Sequence, residues 1–320
     1  MRVYFENIDS LQQPDTSTIE RLCSTTGPTL TALTHTPVYW VSPALMDELY
    51  EPWRNALLAA DCIEKALERM GNNERKRSDE DSIIPEIERF WKMLEECCGG
   101  KERVYRPAAG VYVASIQQSV LSSIKKSRKA HGVLNKAPSV GEPAIFVCPE
   151  RCIARIQGIL DTSLTRAQAI ECAIAQTVFH ELQHAWFKTD PSIYRTFWGR
   201  LIEESLCEWA SFSLFEAREE RALLNRIMCD TPVEYRSYQY WIWIRRQWYR
   251  EEFDGVFPTW KDKNAGVLLD YSGQYLRWVG SMFRSSLDKL ASNHPNLSRT
   301  QLFELFWKKV GMDMLKWMQK

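Results

Sequence analysis

The sequence predicts an α+β fold in which helices predominate. Apolar residues recur at helical spacing through most of the chain, whereas residues that favour strands are concentrated in two short runs, at 104–115 and 144–148. The chain has 320 residues, 45% of them hydrophobic, which is ample for a packed core. We expect a helical N-terminal region over residues 1–100 and a main domain over residues 101–320.

Two helices are predicted in the N-terminal region. The first covers residues 44–70, where apolar residues such as Leu45 and Leu49 recur at helical spacing. Residues 71–82 are polar and highly charged, which favours a solvated loop. The second helix starts near Ile84 and ends before Gly99.

The main domain combines strands and helices. The run at 104–115 is rich in valine and tyrosine around a Pro-Ala-Ala-Gly break, and the apolar run at 144–148 lies between prolines. Thr165 opens a helix, with Gln168 at the position that completes a capping box. Another long helix is expected over residues 192–219, and the C-terminal part that follows is aromatic and mostly helical.

Charge and cysteine content argue against several classes of partner. The 41 lysines and arginines equal the 41 aspartates and glutamates, so there is no electrostatic case for nucleic acid or an anionic membrane. No apolar run is long enough for a spanning helix, and the N-terminus lacks the features of a secretory signal. Nine scattered cysteines suit a reducing compartment better than a disulfide scaffold. We therefore expect a cytoplasmic protein that binds neither nucleic acid nor membranes.

The clearest chemical pattern is His180-Glu181-x-x-His184. Two histidines four residues apart on a helix lie on the same face, so both imidazoles can reach one ion. Zinc accepts neutral imidazole at about 2.0–2.1 Å. Glu181 directly follows the first histidine, and its carboxylate can reach a water molecule at the ion, as a general base must. The spacing therefore indicates a catalytic zinc site on this helix.

A catalytic zinc ion usually has three protein ligands and one open position, so a third ligand is needed. The chain has five histidines, and none of them stands ten residues after His180, where one class of zinc peptidases has its third ligand. The next helix carries three acidic candidates, Glu203, Glu204 and Glu208, among strongly apolar neighbours. An acid on the buried side of such a helix requires a partner, because a lone buried charge is costly.

These motifs resemble those of the gluzincins, the thermolysin-like zinc peptidases, over roughly residues 140–215. That family has HExxH on one helix and a third-ligand glutamate on the next. When the family's motif is aligned with this chain, its ligand glutamate corresponds to Glu204, which follows His184 by 20 residues. A later acid of the family, which supports the first histidine from behind, falls on Glu208.

The chain departs from the family's motif within the second helix. Ser205 and Cys207 stand where the family usually has glycine and alanine, which affects the local packing. Glu203 therefore remains an alternative to Glu204 as the third ligand.

The resemblance implies a zincin-like core, with a small sheet and two metal-binding helices, and the activity of a zinc metallopeptidase on a peptide or protein substrate. In such an enzyme Zn2+ polarises a water molecule and the substrate carbonyl, while Glu181 takes the proton of the water and passes it to the leaving amine. An edge strand, at 110–113 or at 144–148, would pair with extended substrate. The alternative function is a catalytically inactive zinc-binding regulatory or interaction module.

An enzyme of this kind also needs a hydrogen-bond donor near the developing oxyanion, and the family uses tyrosine and histidine. No motif selects one residue for this role. The candidates are Tyr194, Tyr235, Tyr238, Tyr271, Tyr275 and His294.

Three other patterns are interpreted as structural. Cys148 and Cys152 have no companion pair at zinc-finger spacing, so they are expected to be buried thiols. The basic run at 125–129 is typical of a solvated helix face. The aromatic stretch at 238–249 is expected to pack in the core, with its arginines reaching outward.

Overall fold

The structure of the protein is a computed structural model. It describes residues 5–11, 13–25, 36–50, 57–58, 65–70, 89, 92–93, 103–104, 108–131, 138–159, 163–187, 197–215, 217–229, 231, 233–241 and 290–318. These residues form a mostly helical fold with a small mixed sheet, in agreement with the α+β prediction.

The described part of the chain contains six strands and nine helices with defined bounds, in the following order. The strands are β1 (Phe5–Asn7), β2 (Val38–Trp40), β3 (Leu57–Leu58), β4 (Arg103–Val104), β5 (Gly110–Val113) and β6 (Ala144–Val147). The helices are α1 (Ser17–Thr25), α2 (Pro43–Tyr50), α3 (Gln118–His131), α4 (Pro149–Ile156), α5 (Arg166–Phe187), α6 (Phe197–Ser213), α7 (Arg218–Cys229), α8 (Val233–Arg236) and α9 (Arg299–Met318).

Four of the strands form one mixed sheet in the order β1-β2-β6-β5. Strands β1, β2 and β6 are parallel, and β5 runs antiparallel to β6, with Gly110 opposite Val147 and Tyr112 opposite Ile145. Of the two runs expected to supply an edge strand, β6 is therefore internal and β5 is the outer strand among the described residues. A separate two-stranded sheet pairs β3 with β4.

Side chains of the sheet alternate between two hydrophobic cores. On one face, Trp40, Ile145 and Val147 pack with residues of α1, α5, α6 and α7. On the opposite face, Tyr39 and Phe146 pack with α2 and α3, and their rings stack with centroids 5.5 Å apart. Helices α5 and α6, which carry the residues of interest, thus share one face of the sheet.

Helix α5 begins at the capping box that the sequence predicts. The hydroxyl of Thr165 accepts a hydrogen bond from the backbone N–H of Gln168, 3.3 Å away, and the Gln168 side chain accepts from the Thr165 N–H at 2.9 Å. These two bonds occupy amide groups that have no partner within the helix, so they fix where α5 starts.

Removing this cap is expected to cost stability without touching the buried acids and histidines. Thr165→Ala should lower the free energy of unfolding by about 1 kcal/mol, measured by urea denaturation. Ser163→Ala, at an exposed position two residues earlier, is the matched control and should be close to neutral. Equal effects of the two changes would contradict the role of the cap.

The helix predicted over 192–219 is shorter, and this expectation is corrected. Helix α6 ends at Ser213, where Leu214 and Phe215 donate to carbonyls three residues back, each at 3.2 Å. Both side chains are buried, so the tight turn carries two apolar groups into the core before α7 begins at Arg218. Residues 192–196 lie outside the described residues.

The single helix predicted over 44–70 is also wrong. Helix α2 ends at Tyr50, residues 57–58 form β3, and residues 65–70 are helical. Pro52 explains the break, because proline disfavours the helical conformation of the residue before it and lacks an N–H. Of the second predicted helix, only residues 89 and 92–93 are described and helical, and the predicted loop at 71–82 lies outside the described residues.

The first hundred residues are not purely helical, which corrects the expectation of an N-terminal helical region. Strands β1 and β2 come from this part and belong to the same sheet as β5 and β6. A division near residue 100 thus cuts through one sheet. The expectation of a helical region failed because three-residue strands are too short to show a period in the sequence.

None of the described helices combines the length and apolar character that crossing a bilayer requires.

Cys148 and Cys152 are buried free thiols, as expected. Tyr238, Tyr240 and Trp241 are buried in the core, also as expected, and residues 242–249 lie outside the described part of the chain.

Candidate metal centre

Helix α5 holds His180, Glu181 and His184 in the middle of the protein. It packs against α6, α4, β5, α1, α7 and β6, so its faces are almost entirely covered. The two histidines lie one turn apart, with ring centroids separated by 4.9 Å, and all three side chains are buried. The helical spacing therefore places both imidazoles on one side of α5, as the sequence predicts.

Helix α6 brings a carboxylate to both histidines. Oε2 of Glu204 lies 3.1 Å from Nε2 of His180 and 3.4 Å from Nε2 of His184. The two Nε2 atoms are themselves 3.1 Å apart. Within the described part of the chain, these three residues form the group whose donor atoms are close enough to share one ion.

The other ring nitrogen of each histidine faces a second carboxylate. Oε2 of Glu208 lies 2.8 Å from Nδ1 of His180, and Oε1 of Glu203 lies 3.2 Å from Nδ1 of His184. The amide of Gln176 donates to Glu208 at 2.5 Å and so holds that carboxylate in place. In a neutral ring that offers Nε2 to an ion, the hydrogen is on Nδ1, where it faces a carboxylate.

This arrangement leaves three electron-rich atoms pointing at one another. A neutral histidine with its hydrogen on Nδ1 has a lone pair on Nε2, so two nitrogen lone pairs and the Glu204 carboxylate converge. Such a group is repulsive unless a positive charge lies among them. The donor set therefore fits a metal cation.

The separations between the donor atoms also match a small tetrahedral ion. Ligand bonds of about 2.0–2.1 Å in tetrahedral geometry place neighbouring ligand atoms about 3.3 Å apart. The three distances between His180 Nε2, His184 Nε2 and Glu204 Oε2 are 3.1, 3.1 and 3.4 Å. The spacing of the three atoms is therefore compatible with one shared ion.

Without a metal, protons supply the positive charge. Burial alone would lower the pKa of His180, but its contacts with Glu204 and Glu208 outweigh burial and raise the pKa to about 9. The pKa of His184 is also raised well above its usual value, because Cys207 and Glu204 outweigh the effect of burial. Burial would raise the pKa of Glu204, yet the two imidazoles hold it far below its usual value. A metal ion at this site would therefore compete with protons for the same atoms.

Glu181 lies beside this group and against β5 at Gly110. Burial raises the pKa of its carboxylate, and the backbone N–H of Tyr112 opposes that effect. A raised pKa brings a carboxylate nearer to the range in which general bases work at neutral pH. The sequence predicts a general base at position 181, and the structure adds that β5 lies beside it.

One of the candidate oxyanion donors lies against the histidines. The ring centroid of Tyr235, on α8, lies 5.6 Å from the ring centroid of His180. Tyr238 instead packs against Phe212 and donates its hydroxyl hydrogen bond to Asn225. Tyr194, Tyr271 and Tyr275 lie outside the described residues, and His294 follows the helical turn at 290–293.

Several neighbours of the site were not predicted. The sequence offered Glu203 only as a ligand, whereas it faces Nδ1 of His184, and Cys207 Sγ lies 3.4 Å from the same nitrogen. Gln176 could have been predicted as a neighbour of the site, because it is a polar residue about one turn before His180 on an apolar helix. The contact of β5 with Glu181 joins distant parts of the chain and left no local signal.

Comparison of the chain with family models, curated proteins and solved structures finds no match. The case for a function therefore depends on the geometry of the site and on the resemblance of its motifs.

Proposed function

We propose that the protein is a zinc-dependent metallohydrolase that cleaves peptide bonds. The observation that carries the proposal is the convergence of His180, His184 and Glu204 on one point, with Glu181 beside them. Two imidazoles and one carboxylate are a ligand set of catalytic zinc, and three protein ligands leave a position for water or substrate. The same set occurs in the gluzincins, which the motifs resemble.

The donor chemistry favours zinc over the hard cations. Magnesium and calcium prefer sites built from oxygen atoms, whereas two of the three donor atoms here are imidazole nitrogens. The spacing of the donor atoms suits tetrahedral coordination, and the acids behind each histidine would fix the orientation of the rings.

The residues of the chain would divide the reaction between them. Zinc, when bound, supplies a Lewis acid that polarises a water molecule and the substrate carbonyl. Glu181 would take a proton from the water and deliver it to the leaving amine. Glu208 and Glu203 would hold the Nδ1 protons of His180 and His184, so that both Nε2 atoms remain available to the ion.

The outer strand supports a peptide as the substrate class. Strand β5 lies beside Glu181 and is the outer strand of the sheet among the described residues. An extended peptide can add to such a strand through backbone hydrogen bonds, largely independently of its sequence. Because the Tyr112 N–H faces Glu181, an extended chain would bond to the remaining outward groups of β5, next to the general base and the metal site.

The experiment that tests the proposal compares two neighbouring acids by metal analysis. Dialysed wild-type protein is expected to retain about one zinc ion per chain, from the ligand count. Glu203→Gln, which changes only a partner of His184, should weaken zinc binding by about 10- to 100-fold. Glu204→Gln removes a ligand and should weaken it more. Zinc binding that is weaker in Glu203→Gln than in Glu204→Gln would show that the ligand assignment is wrong by one residue.

A further inference from the structure

The backbone N–H and C=O groups of β5 point toward β6 at one residue and away from it at the next. The hydrogen bonds identify which residues point each way. The N–H of Cys148 donates to the carbonyl of Ala109 at 2.8 Å, and the register of β5 and β6 places these two residues opposite each other. In an antiparallel pair, residues that face each other through hydrogen bonds alternate with residues that do not. Val111 and Val113 therefore direct their backbone groups to β6, whereas Gly110 and Tyr112 direct theirs outward.

Glu181 lies against β5 beside both of these positions. The outward-facing backbone N–H of Tyr112 is near enough to lower the pKa of its carboxylate. A Cβ atom at position 110 would lie 2.7 Å from Glu181 Oε1, 2.8 Å from its Cγ and 2.8 Å from Cγ2 of Thr177. Real Cβ atoms do not approach other atoms so closely, so glycine at position 110 lets β5 lie directly on Glu181.

We propose that β5 positions Glu181 for its reaction, with the Tyr112 N–H fixing the carboxylate and the missing side chain of Gly110 leaving the space that it occupies. A buried carboxylate without a donor is costly and is free to adopt other rotamers. One backbone donor on a strand that is itself held by β6 restricts that freedom. Tyr112 and Gly110 are positioning residues, since they act through Glu181. Their effect on cleavage rests on the proposed function, but the contact itself does not.

The contact can be measured without any substrate, by amide hydrogen exchange in the full-length chain followed by NMR. In Glu181→Ala the Tyr112 amide loses its acceptor and should exchange roughly 10-fold faster or more, as expected for a hydrogen bond to a charged group. Val111 and Val113 are internal controls, because their amides bond to β6 and should keep wild-type rates. Glu181→Gln retains an acceptor oxygen and should keep most of the Tyr112 protection.

An unchanged Tyr112 exchange rate in folded Glu181→Ala would overturn the proposal, whether or not the protein binds zinc. If Glu181→Ala does not fold, Glu181→Gln decides the question. In folded Glu181→Gln, the Tyr112 amide should exchange within a few-fold of its wild-type rate. An exchange rate equal to that of an unprotected amide would contradict the contact.

The effect on reaction is tested at Gly110. Gly110→Ala should lower kcat by about 10- to 100-fold, since a displacement of a catalytic group by about 1 Å has effects of this size, while zinc content stays at the wild-type level. Adding Thr177→Ser removes Cγ2, the one colliding atom that does not belong to Glu181, and keeps the hydroxyl that donates to Ala173. Gly110→Ala/Thr177→Ser should therefore regain stability but not kcat.

Recovery of kcat in the double variant would show that Thr177, and not Glu181, is what glycine accommodates, and the proposal would fall. Loss of zinc in Gly110→Ala would equally contradict it. A wild-type protein that cleaves no peptide would refute the proposed function, and the exchange measurement would still decide the contact.

Discussion

Cleavage by Glu181→Gln is expected to be at least about 100-fold slower than cleavage by the wild-type protein, with no loss of zinc. General-base catalysis is worth roughly 10²–10⁴-fold, and glutamine keeps the size of the side chain while removing its basicity. Glu181 is not among the three residues whose donor atoms converge, so metal content should be unchanged. The carboxylate lies in a buried site, where water cannot easily replace it as the proton acceptor.

A mixed peptide library read by mass spectrometry provides the assay, with a chelator to identify metal-dependent products. Glu219→Gln, which makes the same chemical change at an exposed position on α7, is the matched control and should cleave at the wild-type rate. Chelator-sensitive cleavage at full rate in Glu181→Gln would remove the mechanism. Zinc-loaded wild-type protein that cleaves nothing would favour the alternative, an inactive zinc-binding regulatory module.

The second large effect concerns the metal itself. Stripping zinc with a chelator should lower the thermal midpoint by about 6 °C when free zinc is initially about 1,000 times the Kd. At that concentration binding contributes about 4 kcal/mol, and the unfolding entropy is about 2.1 cal/mol/K for each of the 320 residues. Calorimetry of loaded and stripped protein measures the difference. In the double variant His180→Ala/His184→Ala the chelator should have no effect, and an equal shift there would contradict the site.

This difference in midpoint should widen as the pH rises from about 6.5 toward 9. In the metal-free protein the pKa of His180 is raised from 6.5 to about 9, so its protonated form stabilises the fold fully below pH 6.5 and this contribution is lost as the pH approaches 9. Zinc binds the neutral imidazole, so the loss of that proton does not weaken zinc binding. If the difference in thermal midpoint narrowed over this range, protonation of His180 would not stabilise the metal-free fold as expected.

The sequence predicts those parts of the fold that have short-range signals. The capping box at Thr165, the strand at 144–148 and the shared face of His180 and His184 all depend on residues within a few positions of one another. The ends of the other helices were missed because helical spacing continues through a turn. Leu57 shows this, since an apolar residue at helical spacing becomes a strand residue once Val104 is there to pair with it.

The acids of α6 show the same limit within the site. Glu203 and Glu204 are adjacent and both buried, and consecutive residues of a helix point about 100° apart. Which of them faces the Nε2 atoms depends on how α6 is rotated against α5, and that rotation comes from the packing of the whole core. Sequence reasoning can name both residues, but only the tertiary structure separates a carboxylate on Nε2 from one on Nδ1.

The burial of the three convergent side chains has a kinetic consequence that is separate from affinity. His180, His184 and Glu204 are 5%, 4% and 7% exposed, and they lie on helices in the core and not on surface loops. An ion held there can leave only when the packing of α5 and α6 opens, and such openings draw on the stability of the core. If the site holds an ion, its rate of exchange would therefore be set by the motion of the protein and would become independent of chelator concentration.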